Sequence, residues 1–168
     1  PSLVHIRLVG HDLDPTRLAY DVVIQAETGF MSMNGSPDRP PARMPVALMD
    51  VLASHQMRAA VLGGLYQREK TGEGWYAEVS LLGSGITALA NQGTNALIND
   101  LNPQRQGSAH PNIAPYGDLL QCADGNLVLA IGSSAQFESL CHTLGIPDLA
   151  SEAAFCTNAL RVMNRSTL

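Results

Sequence analysis

The chain has 168 residues, 45% of them hydrophobic and 15% charged, which is enough apolar material for one ordinary core or two small ones. Ten Lys and Arg stand against fifteen Asp and Glu, and no basic run could neutralise successive phosphates, which argues against nucleic acid as a partner. Cys122, Cys141 and Cys156 are widely spaced, with no C-x-x-C and no paired histidines, so no structural metal and a reducing, cytoplasmic setting are expected.

No apolar stretch reaches the ~18 to 20 residues that span a bilayer, so no membrane partner is expected. Pro1 to Arg7 lacks the basic head and cleavage site of a signal peptide. Leu3 to Val9 already reads as a strand, and Asn158 to Leu168 still reads as a helix where the chain stops. Both ends therefore read as those of a segment of something larger.

After the first strand, Gly10 to Thr16 reads as a polar turn containing Asp14-Pro15. Tyr20 to Ala26 is too short for periodicity to decide between helix and strand. Pro37-Asp38-Arg39-Pro40-Pro41 forces a loop. From Val46 to Lys70, Leu48, Leu52, Ala59, Leu62 and Tyr66 mark one helical face, and Gly72 supplies the stop. Trp75 to Leu81 alternates as a strand, and a second long helix is expected from Leu82 to Ile98.

The Asn-, Pro- and Gly-rich stretch from Asn99 to Pro115 marks a boundary. Beyond it, Ala123-Asp124-Gly125 between two apolar runs predicts a hairpin. Ser133 with Gln136 predicts a capping box for a helix ending near Leu144-Gly145.

Among motifs, Gly83-Ser84-Gly85-Ile86-Thr87-Ala88 mimics a dinucleotide fingerprint, but the helix after it runs into a loop where a second strand and an acidic residue should stand. It reads as small residues permitting close packing. Gly10-His11-Asp12-Leu13-Asp14 reads as a solvated turn rather than a metal cluster, and His55 and His142 as packing or surface residues. His110 lies in a loop, where function concentrates. Asp50, at the start of an apolar helix, reads from the residues alone as a capping or first-turn carboxylate. No G-x-S-x-G elbow and no phosphate loop is present.

As a string, Tyr20 to Ser32, Gly35 to Pro41 and Val46 to Asp50 resemble the class III CoA-transferases. The resemblance, CaiB/BaiF-like and similar to formyl-CoA and carnitine CoA-transferases, continues through Leu65 to Gly74 and Val79 to Leu82. It persists in Gly107 to Tyr116, Ala123 to Gly125 and Asn158 to Arg165.

The resemblance implies an α/β fold, part of a Rossmann-like large domain over residues 1–100 followed from 101 to 168 by the start of a smaller α/β domain. It implies Asp50 as the nucleophile that forms acyl and CoA intermediates, with Tyr20 as its aromatic companion. Related acyl-CoA racemases carry a histidine at the Tyr20 position, and a tyrosine suits that proton shuttle poorly. CoA contacts map onto Leu18 and Ala19, with Asp21 following, and a substrate loop onto His110, Asn112 and Tyr116. Pro111 and Pro115 make that loop stiffer than the glycine-rich version and closer to dicarboxylate-transferring relatives.

The leading expectation is a CoA-transferase, or a fragment of one, moving CoA between an acyl-CoA and a small carboxylate. Coenzyme A thioester would be substrate, with no tightly bound cofactor. A homodimer, or a chain supplying the family's amino-terminal third, is the expected partner. A catalytically silent, self-associating or partner-binding module is the second reading, and an acyl-CoA racemase the third.

Overall fold

The computed structural model describes residues 2–14 and 16–168, so Pro1 and the Pro15 of the expected Asp14-Pro15 turn lie outside the described residues. The fold is α/β. It divides into two compact units, one containing the chain through Asn34 together with Pro40–Arg105, the other Gly35–Arg39 together with Gln106–Leu168.

In the first unit, β1 (Val4–Val9) pairs in parallel with β2 (Trp75–Ser80), from Val4 opposite Trp75 to Val9 opposite Ser80. Parallel pairing needs a crossover, supplied here by α1 (Asp21–Glu27), α2 (Phe30–Met33) and α3 (Leu48–Thr71). The segment that periodicity left undecided is thus the helix α1. α3 ends at Gly72, whose left-handed φ of 73° suits the glycine stop.

The buried face of α3 is only partly the expected one: Leu48 packs against the core and Leu52 is half-buried, but the face then shifts. Met49, Ala53 and Gly64 are buried, with Met57 and Ala60 packed beside them, whereas Leu62 and Tyr66 are exposed. Small side chains decide this, because they let the helix axis approach the sheet. A Cβ on Gly64 would lie 2.7 Å from both Trp75 and Val4 side chains. Ile24, Met49, Ala53, Val79 and Leu81 form the core of this unit.

The opposite sheet face is polar. Arg7 Nη1 bonds Glu78 Oε1 at 3.1 Å, Tyr76 donates its hydroxyl to the same carboxylate, and His5 meets the Tyr76 ring edge-on.

The expected second long helix is two helices, α4 (Leu81–Ala88) and α5 (Ala90–Asn99). Ala90 takes a φ of 48° between them, a conformation its residue type does not announce. Ser80 caps α4 by accepting the Gly83 amide at 2.7 Å.

The second unit holds the antiparallel hairpin of β3 (Tyr116–Cys122) and β4 (Gly125–Ala130), turning at Ala123-Asp124. α6 (Ser134–Thr143) begins with the Ser133–Gln136 capping box and is followed by a 3-10 turn at Pro147–Ser151. α7 (Asn158–Met163) is shorter than the expected terminal helix. Phe137, Cys141 and Phe155 form this unit's core, with the Arg161 guanidinium 4.5 Å from the Phe137 ring centroid.

Candidate active site

Asp50 is the third residue of α3, exposed in the first turn where free amides and the helix dipole present positive potential. Its neighbour Met49 is fully buried between α1 and α4, against Ile24 and so near Gly85 that a Cβ there would lie 2.9 Å from the Met49 sulfur. A helix turns 100° per residue, so burying Met49 fixes the direction in which Asp50 leaves the surface. The small Gly85 serves packing, as its motif reading expected.

The N-cap position of α3 is Ala47, which has no capping side chain. Asp21, the first residue of α1, takes that role: its Oδ1 accepts the Met49 amide at 2.7 Å, and its Oδ2 accepts Gln25 Nε2 at 2.5 Å. Gln25, fully buried one turn on, donates to the Val46 carbonyl at 3.3 Å and accepts the Met44 amide at 2.7 Å. Two side chains on one face of α1 therefore hold the approach to α3 and its first turn.

Tyr20 is the N-cap residue of α1, extended in backbone and 68% exposed, its carbonyl accepting the Ile24 amide at 3.0 Å. Tyr20 precedes the residue that caps α3 and Asp50 follows the residue that is capped. The same side-chain-to-backbone bond therefore joins the neighbours of both candidates.

Leu18 is exposed, and Ala19 is half-buried against the core. A Cβ on Gly10 would sit 2.6 Å from the Ala19 Cβ, so glycine at position 10 lets the two segments touch. Within the turn read as solvated, Asp12, Leu13 and Asp14 are exposed but His11 is 4% exposed. Its Nε2 lies 3.6 Å from Glu27 Oε2 without a hydrogen bond, and Arg17 pairs with the other Glu27 oxygen. An Asp12 oxygen lies 3.2 Å from where a Gly83 Cβ would stand, which sets a negative charge beside the start of α4 where a dinucleotide phosphate would need to dock.

In the second unit, His110 is half-buried, and Asn112 and Tyr116 are exposed. The Asn112 amide donates to His110 Nδ1 at 3.1 Å, and the His110 and Tyr116 rings meet edge-on with centroids 5.5 Å apart. Leu18, Ala19, Tyr20, Asp21 and Asp50 thus lie in the first unit, where Asp21 bonds the residue before Asp50, and His110, Asn112 and Tyr116 lie in the second. Among the described residues no group of three or more His, Cys, Asp or Glu could hold a metal ion, and no helix is long and apolar enough to cross a membrane.

The model of CoA-transferase family III matches residues 1–168. The chain belongs to that family. This family III chain is 39% identical over 146 residues to the succinate–glutarate CoA-transferase of Agrobacterium fabrum, covering 87% of this chain and 36% of that protein. It is 36% identical to the succinyl-CoA:glutarate CoA-transferase of Mus musculus, covering 100% of this chain and 39% of that one. Among solved structures it resembles a CaiB/BaiF family protein from Brucella suis, with a TM-score of 0.74 at 36% identity over 99% of this chain and 45% of that one. The chain therefore spans less than half the length of these relatives.

In this family III chain His11 departs from the solvated turn expected around it, being buried, whereas Gln25, Asn158, Arg161 and Arg165 do not stand out individually in the sequence. Gln25 carried a usable signal, being a polar residue four positions after Asp21 on a short apolar helix. The resemblance included Asn158 to Arg165, but nothing in the string indicates what those side chains hold.

Proposed function

We propose that the chain carries the catalytic aspartate of a CoA-transferase that moves CoA between an acyl-CoA and a small dicarboxylate. The observation that supports it best is the Asp21–Met49 bond, in which the side chain of the residue after Tyr20 caps the amide of the residue before Asp50. The activities for which the Agrobacterium fabrum and Mus musculus relatives are named make succinyl-CoA and glutarate the first pair to test.

In this reading the Asp50 carboxylate attacks the thioester carbonyl, the C–S bond breaks, and CoA leaves as the thiolate with a mixed anhydride on Asp50. The thiolate then attacks the aspartyl carbonyl, releasing the donor as a carboxylate and leaving an aspartyl thioester. The acceptor carboxylate displaces the thiolate, which attacks the acceptor acyl carbon and frees Asp50. A carboxylate is a weak nucleophile, so the step depends on holding it against the thioester. Capping by Asp21 and burial of Met49 supply that positioning. Tyr20 contributes a hydroxyl donor, Leu18 and Ala19 contact CoA, and His110, Asn112 and Tyr116 contact the carboxylate substrate. Both Asp21 oxygens are engaged in the chain, so Asp21 would meet CoA through its backbone.

Incubation with succinyl-CoA followed by hydroxylamine should leave a hydroxamate on Asp50, detected by peptide mass spectrometry. Asp50→Asn should abolish the adduct and turnover while leaving the fold intact. Undiminished transfer by that variant would overturn the assignment.

A self-associating or partner-binding role is the second reading, favoured by Leu97 and Ile98, which are 88% and 74% exposed on α5. Light scattering with and without Leu97→Ser tests it, because that role requires the substitution to shift the mass downward.

A further inference from the structure

Residues 108–118 run through a loop into the start of β3 and are closed at the neck. The His110 amide donates to the Tyr116 carbonyl at 2.8 Å, and Gly117, with a φ of +76°, lies so near Ser108 that a Cβ would stand 2.1 Å from its carbonyl oxygen. Inside the neck, the loop backbone is held by side chains from α7 and the turn after it. Asn158 Oδ1 accepts the Ala114 amide at 3.2 Å, and Asn158 Nδ2 donates to the Asn112 carbonyl at 2.8 Å. Arg161 Nε donates to the Ala114 carbonyl at 2.9 Å. Arg165 Nη2 donates to the His110 and Ile113 carbonyls at 2.6 and 2.7 Å, while its Nη1 meets both Asp118 oxygens at 2.8 Å. From β4's end the Ile131 amide reaches the Pro115 carbonyl at 3.1 Å.

A loop meant to close over substrate leaves its backbone groups to water until it closes. Here they are bonded to the chain itself, and the groups that bond them are themselves constrained. Arg161 is 2% exposed, and burial pulls its pKa below the ordinary guanidinium value, so its carbonyl partners replace lost hydration. The Arg165 fork serves three sites at once, which a lysine cannot do. Within the loop, donation by the Asn112 amide to His110 Nδ1 places the neutral ring's proton on Nε2, giving a donor suited to a carboxylate or thioester oxygen.

We propose that Asn158, Arg161 and Arg165 are positioning residues that keep loop 108–118 preformed, so that His110, Asn112 and Tyr116 meet a carboxylate substrate without a closing step. The substrate contact of those three residues rests on the transferase reading above, whereas the preformed loop does not. A preformed loop spares binding the cost of ordering it.

Amide hydrogen exchange on the chain, with and without succinyl-CoA and glutarate, tests the proposal. The amides of His110, Ala114 and Tyr116 should be protected before ligand is added and should change less than about twofold on its addition. Arg165→Met should speed their exchange about tenfold or more. Asn158→Asp, which keeps the acceptor for the Ala114 amide and removes the donor to Asn112, should give a smaller rise and remains informative if Arg165→Met fails to fold. In turnover, Arg165→Met should raise KM for the carboxylate about tenfold with kcat within about twofold, and Arg165→Lys should recover part of that loss. A purely structural role would lower the folded fraction and leave KM unchanged.

Loop amides that are unprotected without ligand and become protected with it would overturn the proposal, as would unaltered protection in both variants. If Asp50→Asn retains turnover, the transferase reading fails, and the ligand-free exchange still decides whether the loop is preformed.

Discussion

The Asp21 carboxylate accepts the Met49 amide at 2.7 Å, across 28 residues of sequence, and so caps a helix whose own N-cap residue is an alanine. Asp21→Ala removes that acceptor and the partner of Gln25, and should cost about 1–2 kcal/mol in urea unfolding. Asp21→Asn keeps an acceptor for the Met49 amide and should lose less than about 1 kcal/mol. Equal losses in the two variants would show that charge, rather than the cap, is what matters. If capping positions Asp50, turnover should fall further in Asp21→Ala than in Asp21→Asn.

Gly117→Ala should be strongly destabilising. Its φ of +76° is left-handed, and a Cβ would strike the Ser108 carbonyl at 2.1 Å, with no flexible side chain to give way. A loss above about 2 kcal/mol is expected in thermal or denaturant unfolding. Gly63→Ala is the control: it lies inside α3 with nothing within 4 Å of an added Cβ, and should stabilise by about 0.5–1 kcal/mol. A similar response at both positions would contradict the close contact.

The three cysteines should separate by reactivity. Cys122 and Cys156 are exposed, whereas Cys141 is buried and burial pushes its thiol pKa above the ordinary value, partly opposed by Arg161. Brief treatment of the native chain with a thiol reagent at neutral pH should label the first two and spare Cys141 until denaturant is added. Fast native labelling of Cys141 would show that its core opens readily.

Acid should selectively erase one contribution to stability. The Tyr76 hydroxyl, and next the Arg7 charge, hold the Glu78 carboxyl below its ordinary 4.5. The folded state therefore releases that proton more readily than the unfolded state. The stabilisation is present above the unfolded value and is lost as the pH falls through 4.5 toward the lower folded value. The group is exposed, so the effect should be modest and weakened by salt. Denaturant midpoints for the native chain and Glu78→Gln should converge as the pH is lowered through and below 4.5. A constant gap would assign the difference to shape rather than charge.

Much of this fold was legible because the signals were local. The hairpin turn at Ala123-Asp124, the Ser133–Gln136 box and the Gly72 stop each act over a few residues and stand where expected. The face of α3 departs from the periodic one after its first turns because periodicity weighs bulk, and the sheet accepts Ala53, Ala60 and Gly64 rather than Leu62 and Tyr66. The break at Ala90 carries no breaker residue to reveal it. At the candidate site, the string pointed to Asp50 and Tyr20 by resemblance alone. It could not show that Asp21 and Gln25 grip the approach to α3, or that Arg161 and Arg165 grip a loop about 50 positions earlier, since such pairings exist only after the chain has closed on itself.

The short segment Gly35–Arg39 belongs to the second unit although sequence on both sides of it belongs to the first. The Gly107 amide donates to the Gly35 carbonyl at 3.0 Å, a bond within that second unit. The polypeptide therefore visits the second unit twice, and a single cleavage between Arg105 and Gln106 does not release it whole. Gene fission or domain shuffling at that point would strand five residues on the wrong product. A cut before Gly35 divides the first unit just as one after Arg105 divides the second, so no single junction at either place separates the two whole.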